Sequence, residues 1–272
     1  MHVLSGRVHL VTALLLLPVQ AAADDADLRD ADQTWVGAYQ LYRFAGDHRL
    51  KEVGTRNLAG ELNGLAVGFS RDGDLAYEAP YVDGVMQGMG RRYVRGELRH
   101  LTPLVDGKSE GIQTTYRDGR IRKLMELHDG KIDGVVEEYG YGHSPQVLTR
   151  RAHYRAGKLN GWERLWSLDG ALIKETQYVD DKKNGVERRW EDQAAGHLDA
   201  VYHYRNGKRE GAFTRRRGDT WLAQHFYRDD QPVGRWFDVD QDTGVVTVSR
   251  YDDAGEYQGR YQIGADLVVH DE

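Results

Sequence analysis

Tyr154-Arg155-Ala156-Gly157-Lys158-Leu159-Asn160-Gly161 and Tyr204-Arg205-Asn206-Gly207-Lys208-Arg209-Glu210-Gly211 are two copies of one unit. Close relatives of it are Leu104-Val105-Asp106-Gly107-Lys108-Ser109-Glu110-Gly111 and Leu127-His128-Asp129-Gly130-Lys131-Ile132-Asp133-Gly134. Taking the second glycine as anchor extends the series to Gly64, Gly88, Gly111, Gly134, Gly161, Gly185, Gly211, Gly234 and Gly259, at spacings of 24, 23, 23, 27, 24, 26, 23 and 25 residues. A fixed period of this size is the signature of a repeat architecture.

The register extends beyond the glycines. Seven residues before the anchor stand Tyr81, Leu104, Leu127, Tyr154, Tyr178, Tyr204 and Tyr227; thirteen before it stand Leu75, Leu98, Ile121, Leu148, Leu172, Leu198, Trp221 and Val246. One residue after the anchor come Leu65, Met89, Ile112, Val135, Trp162, Val186 and Ala212; five after it come Phe69, Tyr93, Tyr116, Tyr139, Trp166 and Trp190. In a strand, positions one, three and five share a face while two and four share the other. The second face reads as mostly polar, with Arg92, Glu138, Arg189 and Arg215 in one column. Each unit is then a pair of short strands joined by Asn-Gly or Asp-Gly turns, where positive backbone angles suit a tight hairpin. The predicted fold is all-β: an elongated single-layer antiparallel β-hairpin repeat ribbon of about nine units. Pro145 with Gly140 to Gly142, and Gln193 to Gly196, account for the two longest spacings as loop insertions.

At the N-terminus Arg7 precedes an apolar run from Val8 to Val19, followed by Ala21-Ala22-Ala23. This is the pattern of a cleaved secretory signal peptide over residues 1–23. It predicts export, and a periplasmic address in a two-membrane bacterium. No later segment reaches the roughly 20 apolar residues of a spanning helix. Residues 24–36 read as a flexible lead-in, 37–264 as the repeat domain with a capping half-unit from Gly37 to Tyr42, and 265–272 as a tail. Tyr251 to Glu272 departs from the register, Asp252 standing where the aromatic is expected. A net charge of −6 disfavours nucleic acid, and the absence of cysteine removes disulfides and thiolate chemistry. The partners predicted are a cognate toxin or effector protein and a peripheral contact with the membrane surface, with the chain a monomer or a weak end-to-end dimer through its edge strands.

The Tyr-x-x-Gly-Lys-x-x-Gly pattern resembles the MORN repeats, in their divergent bacterial form, over residues 57 to 264. Departures are Asp181 and Asp230 for the first glycine, Arg216 and Val239 for the aromatic, and Val85 and Gln231 for the lysine. The resemblance implies an extended twisted β-ribbon that binds other molecules, an antitoxin-like role, and no catalytic residues.

Asp238-Val239-Asp240-Gln241-Asp242-Thr243-Gly244 has the alternating carboxylates of a calcium loop, but its glycine falls one residue late and Ser249 stands where a bidentate Glu closes such loops. An acidic hairpin turn is the reading preferred. His128, His153, His203 and His225 lie near the apolar column as a surface row rather than at zinc-ligand spacing. Asp180-Asp181 and Asp229-Asp230 fall at turns, where adjacent residues do not converge. No catalytic, cofactor or metal residue is predicted. Arginine pairs Arg91-Arg92, Arg150-Arg151, Arg188-Arg189 and the run Arg215 to Arg217 form either an anion-binding strip or a solvated face offset by Glu138, Glu163 and Glu187. The chain holds 16 Tyr and 6 Trp, and Phe213, Trp236 and Phe237 lie off the regular columns as an exposed contact surface. The predicted partner-binding residues are therefore Arg92, Arg189, Arg215, Phe213, Trp236 and Phe237. The function expected is an immunity or antitoxin protein that occludes an envelope-acting toxin, a secreted phospholipase being one candidate. The alternative is an envelope scaffold that binds lipid, peptidoglycan or a protein complex.

Overall fold

The computed structural model describes residues 39–43, 49–140, 146–190, 196–264 and 269–271. The segment read as a signal peptide, the lead-in, and parts of the two loop insertions (141–145 and 191–195) lie outside the described residues. Among the described residues every regular element is a strand, and every strand pairing is antiparallel. The chain divides into two compact units, one ending at Arg120 and one beginning at Ile121.

The first unit contains β1 (Tyr39–Arg43), β2 (Leu50–Thr55), β3 (Gly64–Phe69), β4 (Leu75–Val82), β5 (Val85–Met86), β6 (Gly88–Val94), β7 (Glu97–Val105), β8 (Lys108–Ser109) and β9 (Gly111–Arg117). It is a meander in which each strand pairs with the next, short β5 and β8 being the inner ends of bulged strands. The second unit continues the pattern through β10 (Arg120–His128), β11 (Lys131–Tyr139), β12 (Leu148–Arg155), β13 (Lys158–Trp166), β14 (Leu172–Val179), β15 (Lys182–Trp190) and β16 (Leu198–Arg205). Then follow β17 (Lys208–Arg209), β18 (Gly211–Arg217), β19 (Thr220–Arg228), β20 (Gln231–Pro232), β21 (Gly234–Val239), β22 (Val246–Tyr251), β23 (Tyr257–Ile263) and β24 (Val269–Asp271).

The two glycines of the motif do different jobs. The first sits in a two-residue turn whose central residues both have positive φ, as in Asp106 at 49° with Gly107 at 75° and Asn206 at 52° with Gly207 at 90°. That is the I′ geometry matching strand twist. Asp181 and Asp230 adopt it too, at 67° and 70°. Each uses its carboxylate to accept the backbone N–H of a residue in the preceding hairpin, Leu159 at 2.8 Å and Arg209 at 2.8 Å. The turn also donates its own N–H backwards: Gly84 to Leu62 O, Gly107 to Met86 O, Gly157 to Ile132 O and Gly207 to Lys183 O, at 2.7 to 2.9 Å. Each turn is thus stitched to the hairpin before it.

The second glycine makes a bulge. Its φ lies between 96° and 121° at Gly64, Gly88, Gly111, Gly134, Gly161, Gly185, Gly211 and Gly259, a region closed to most side chains. The residue just before it donates across the bulge, as Gln87 does to Pro80 O at 2.9 Å and Glu210 to His203 O at 2.9 Å. A Cβ at Gly134 would land on the Glu126 carboxylate, and one at Gly185 on the Gln177 amide. Proline is tolerated mid-strand at Pro80 and Pro103 because the facing strand is bulged there.

The register corrects one sequence expectation. Gly234 pairs with Tyr251, as Gly185 does with Tyr204 and Gly211 with Tyr227. Tyr251, not Asp252, fills the aromatic column, so the unit slips by one residue and keeps its ring.

Candidate interaction surface

The face that carries positions two and four after the anchor is not the plain polar surface expected. Within the unit beginning at Ile121 it holds Val136, Ala152, Thr176, Glu187 and Ala200, all buried. Glu187 has no exposed surface, yet no second layer of secondary structure is needed to cover it. Its carboxylate accepts from Lys183 Nζ at 2.6 Å, Arg189 Nε at 2.8 Å and Thr176 Oγ1 at 3.3 Å. The long stems of those cations form the cover. Burial works against the Glu187 charge, but hydrogen bonds from Lys183 and Arg189 outweigh it and hold the carboxyl below its ordinary range.

The same face continues in both directions. Towards β10, Arg150 bridges Glu163 at 2.7 Å and Glu138 at 3.2 Å, and Lys123 reaches Glu138 at 3.3 Å. Tyr178 lies beside Glu163, and burial followed by the Glu163 and Glu187 charges pushes its phenol up to about 12. Towards β23 the ions give way to rings. Lys183 lies over Tyr204 at 4.7 Å and Arg189 over Tyr202 at 4.8 Å. The ladder then runs Tyr202, Phe213, His225, Trp236, Tyr251 and Tyr257, with neighbouring ring centroids 4.2 to 5.7 Å apart. The rings sit at about the strand separation, His225 stacked on Trp236 and the other neighbours tilted or edge-on to one another.

Against this geometry the proposed contact residues divide. Phe213 and Trp236 are half-buried members of the ladder, not exposed side chains, and the Trp236 indole N–H donates to Phe226 O at 3.0 Å. Phe237 is half-buried on the opposite face. Arg92, Arg189 and Arg215 are exposed. Arg189 is committed to Glu187 and the Tyr202 ring, and Arg215 reaches Asp199 at 3.4 Å. Arg92 pairs across the strands with His100; burial, then Arg92 and Arg99, push that imidazole down. Arg189, Phe213, Arg215 and Trp236 do share one face of the second unit.

Neither a protein-family model nor a curated protein matches the chain.

The opposite face holds what sequence reasoning passed over. In the first unit Leu65, Met89 and Ile112, one residue after successive anchors, are 44%, 39% and 54% exposed. Leu65 pairs with Pro80 and Met89 with Pro103, and exposed Val82 pairs with exposed Val85 beside the turn. The result is an aliphatic row running across five strands. In the second unit the corresponding backbone is tended by polar side chains instead. Glu126 and Gln177 accept the N–H of Val135 and Val186, while His153 and His203 contact the carbonyls of Trp162 and Ala212. Those histidines therefore do not form one row with His225, which stacks on the other face.

The acidic segment 238–244 runs from the end of β21 into a turn that closes on Asp240 and is tied to neighbouring strands, Asp238 meeting His225 Nε2 at 2.8 Å and Gln241 accepting from Arg217 at 2.6 Å. Asp240 accepts from the N–H of Asp242 at 3.0 Å and from both the N–H and the hydroxyl of Thr243 at 2.9 Å; these bonds, led by the Thr243 N–H, lower its pKa. Among the described residues no group of three or more His, Asp or Glu side chains converges to hold a metal ion. No helix there is long and apolar enough to cross a membrane.

Proposed function

We propose that this chain is an exported, non-enzymatic protein-binding repeat of the MORN-like kind, acting as an immunity or antitoxin protein that occludes an envelope-acting toxin such as a secreted phospholipase. The observation that carries the reading is the aliphatic row Leu65, Met89 and Ile112, extended by Val82 and Val85. It lies on a hydrogen-bonded sheet, where a contiguous apolar surface rimmed by polar groups marks a contact site rather than scattered exposure. A pre-ordered backbone loses little freedom on association, which favours tight binding by a surface with no cavity. The signal-peptide pattern and the motif resemblance supply the compartment and the antitoxin role.

The test is affinity capture of the tagged mature protein from periplasmic extract, with bound proteins identified by mass spectrometry. One stoichiometric protein, toxic when exported alone and neutral when exported with this chain, supports the reading. Retention of the bait on membrane or wall fractions with no protein partner overturns it.

A further inference from the structure

On the face bearing the odd positions, in the second unit, Arg151 of β12 and Arg164 of β13 are direct cross-strand partners. Both guanidiniums stand partly in water, at 46% and 37% exposure. Like charges placed directly opposite one another destabilise a sheet, and an anion held between them reverses the sign of that interaction. The same row shows how a carboxylate is taken. It runs Glu137, Arg151, Arg164, Glu175, Arg188 across β11 to β15. Glu175 accepts from Arg164 Nε at 3.2 Å and Arg188 Nη1 at 2.6 Å, and the Trp162 ring lies 5.5 and 6.0 Å from the two guanidinium carbons. Arg151 meets Glu137 at 3.5 Å and Arg164 meets Glu175 at 3.2 Å, but no carboxylate among the described residues is within ion-pair distance of both arginines.

Nearer the turns the same face adds Arg155 and Lys158, also direct cross-strand partners, and Lys182, all exposed. On β12 to β15 it therefore presents Arg151, Arg155, Lys158, Arg164, Lys182 and Arg188 against Glu175, which is 9% exposed. This concentration stands out on a chain whose net charge is −6. It is also distinct from Arg189 and Arg215, which point to the other face, where they meet Glu187 and Asp199.

We propose that this basic face docks an acidic segment of the protein partner, a carboxylate entering between Arg151 and Arg164 as Glu175 does between Arg164 and Arg188. The inference rests on the protein-binding reading and adds the partner's chemistry. An arginine fork fits a planar carboxylate in two-point contact. A protein segment is favoured over nucleic acid or an anionic bilayer because the patch spans only four strands, roughly 20 Å at the usual strand spacing. A long polyanion would run past it into the turn acids Asp180 and Asp181 and the remaining negative surface.

The test uses the mature full-length protein and a short fluorescein-labelled peptide alternating glutamate and serine, followed by anisotropy at low and at moderate salt. Arg151→Gln and, separately, Arg155→Glu with Lys158→Glu should each weaken binding about tenfold, while Lys51→Glu, at an exposed position of β2, leaves it within about twofold. The second variant leaves the Arg151–Glu137 pair intact, so a folding failure of one leaves the other informative. Parallel arms use phosphatidylglycerol vesicles and a single-stranded DNA oligomer. Absent peptide binding, an equal loss on Lys51→Glu, or tighter binding to vesicles or DNA than to peptide each overturns the proposal. Capture of a protein partner that survives both variants also overturns it while leaving the protein-binding reading intact.

Discussion

Replacing Glu187 with glutamine removes a charge from the best-covered position on the second unit. Breaking a buried ion pair costs about 3–5 kcal/mol when the remaining charge stays buried. Here Lys183 and Arg189 are 28% and 45% exposed, so both can turn to water, and glutamine still accepts one hydrogen bond. The expected loss is therefore about 2 kcal/mol for Glu187→Gln and about 3 kcal/mol for Glu187→Ala, which also opens a gap beneath Thr176. Glu97→Gln, at an exposed pair with Arg99, should change stability by less than about 0.5 kcal/mol. The assay is urea unfolding followed by far-ultraviolet circular dichroism, with the midpoint compared at equal slope. The pH dependence provides a second check. The folded-state pKa of Glu187 is depressed, so its contribution is present above the ordinary glutamate value of about 4.3 and is lost as pH falls through the folded value. The gap between wild type and Glu187→Gln should be full at neutral pH and should close in acid. A gap below about 0.5 kcal/mol at neutral pH, or one that does not narrow on acidification, refutes the argument that this charge is held by its two cations.

Tyr93 and Tyr178 are both pushed up to about 12, by burial and then by Glu78 in the first case and Glu163 in the second. Because the folded pKa is raised, stability is intact below the unfolded value of about 10 and falls as pH climbs toward 12; ultraviolet titration of tyrosinate alongside unfolding should show late ionisation and alkaline loosening, and ordinary phenol titration would contradict it. Gly185→Ala places a methyl group at φ 112° against Gln177 and should cost about 2–4 kcal/mol, whereas Gly157→Ala, at φ 85° with open space around it, should cost about 1–2 kcal/mol; equal losses in thermal melts would remove the distinction between bulge and turn glycines. Met89→Glu with Ile112→Glu should leave the melting curve unchanged within error and reduce partner capture at least about tenfold, since both side chains are already in water; undiminished capture would clear the aliphatic row of a role.

Period and turn chemistry were legible because each has a local cause. An Asp-Gly or Asn-Gly pair sets an I′ turn, and the anchor glycine is demanded by a bulge whose φ excludes a side chain, so the 23 to 27 residue spacing is the spacing of backbone geometry itself. The polar residue before the anchor is explained the same way: Gln87 reaches Asp106, and Asn160 reaches Asp180, each bracing the next turn. Burial was less legible, for a physical reason. Alternation tells which side chains share a face, but in an open sheet neither face is assigned to a core by a covering layer. Cover then comes from whichever neighbours are long enough to lie down. Glu187 is buried because Lys183, Arg189 and Tyr204 flank it, while Ile112, chemically the better core residue, stays exposed beside Pro103.

The residues predicted to bind a partner divide between faces and environments for a related cause. An arginine pair such as Arg188-Arg189 sends one side chain to each face, so a doublet in sequence is never a doublet on the surface. The member singled out, Arg189, is the one its own Glu187 neutralises. Its neighbour Arg188 joins Arg164 around Glu175, and the pairing register then sets Arg164 against Arg151. Those two lie 13 residues apart in sequence, across a hairpin and a bulge. Counting the bulge residues is what brings them opposite one another. The bulge places two extra residues on β13, so ignoring it sets Trp162 instead of Arg164 opposite Arg151; the face stays the same, but the direct facing of the two arginines becomes visible only once the anchor glycine is understood as an insertion in the ladder.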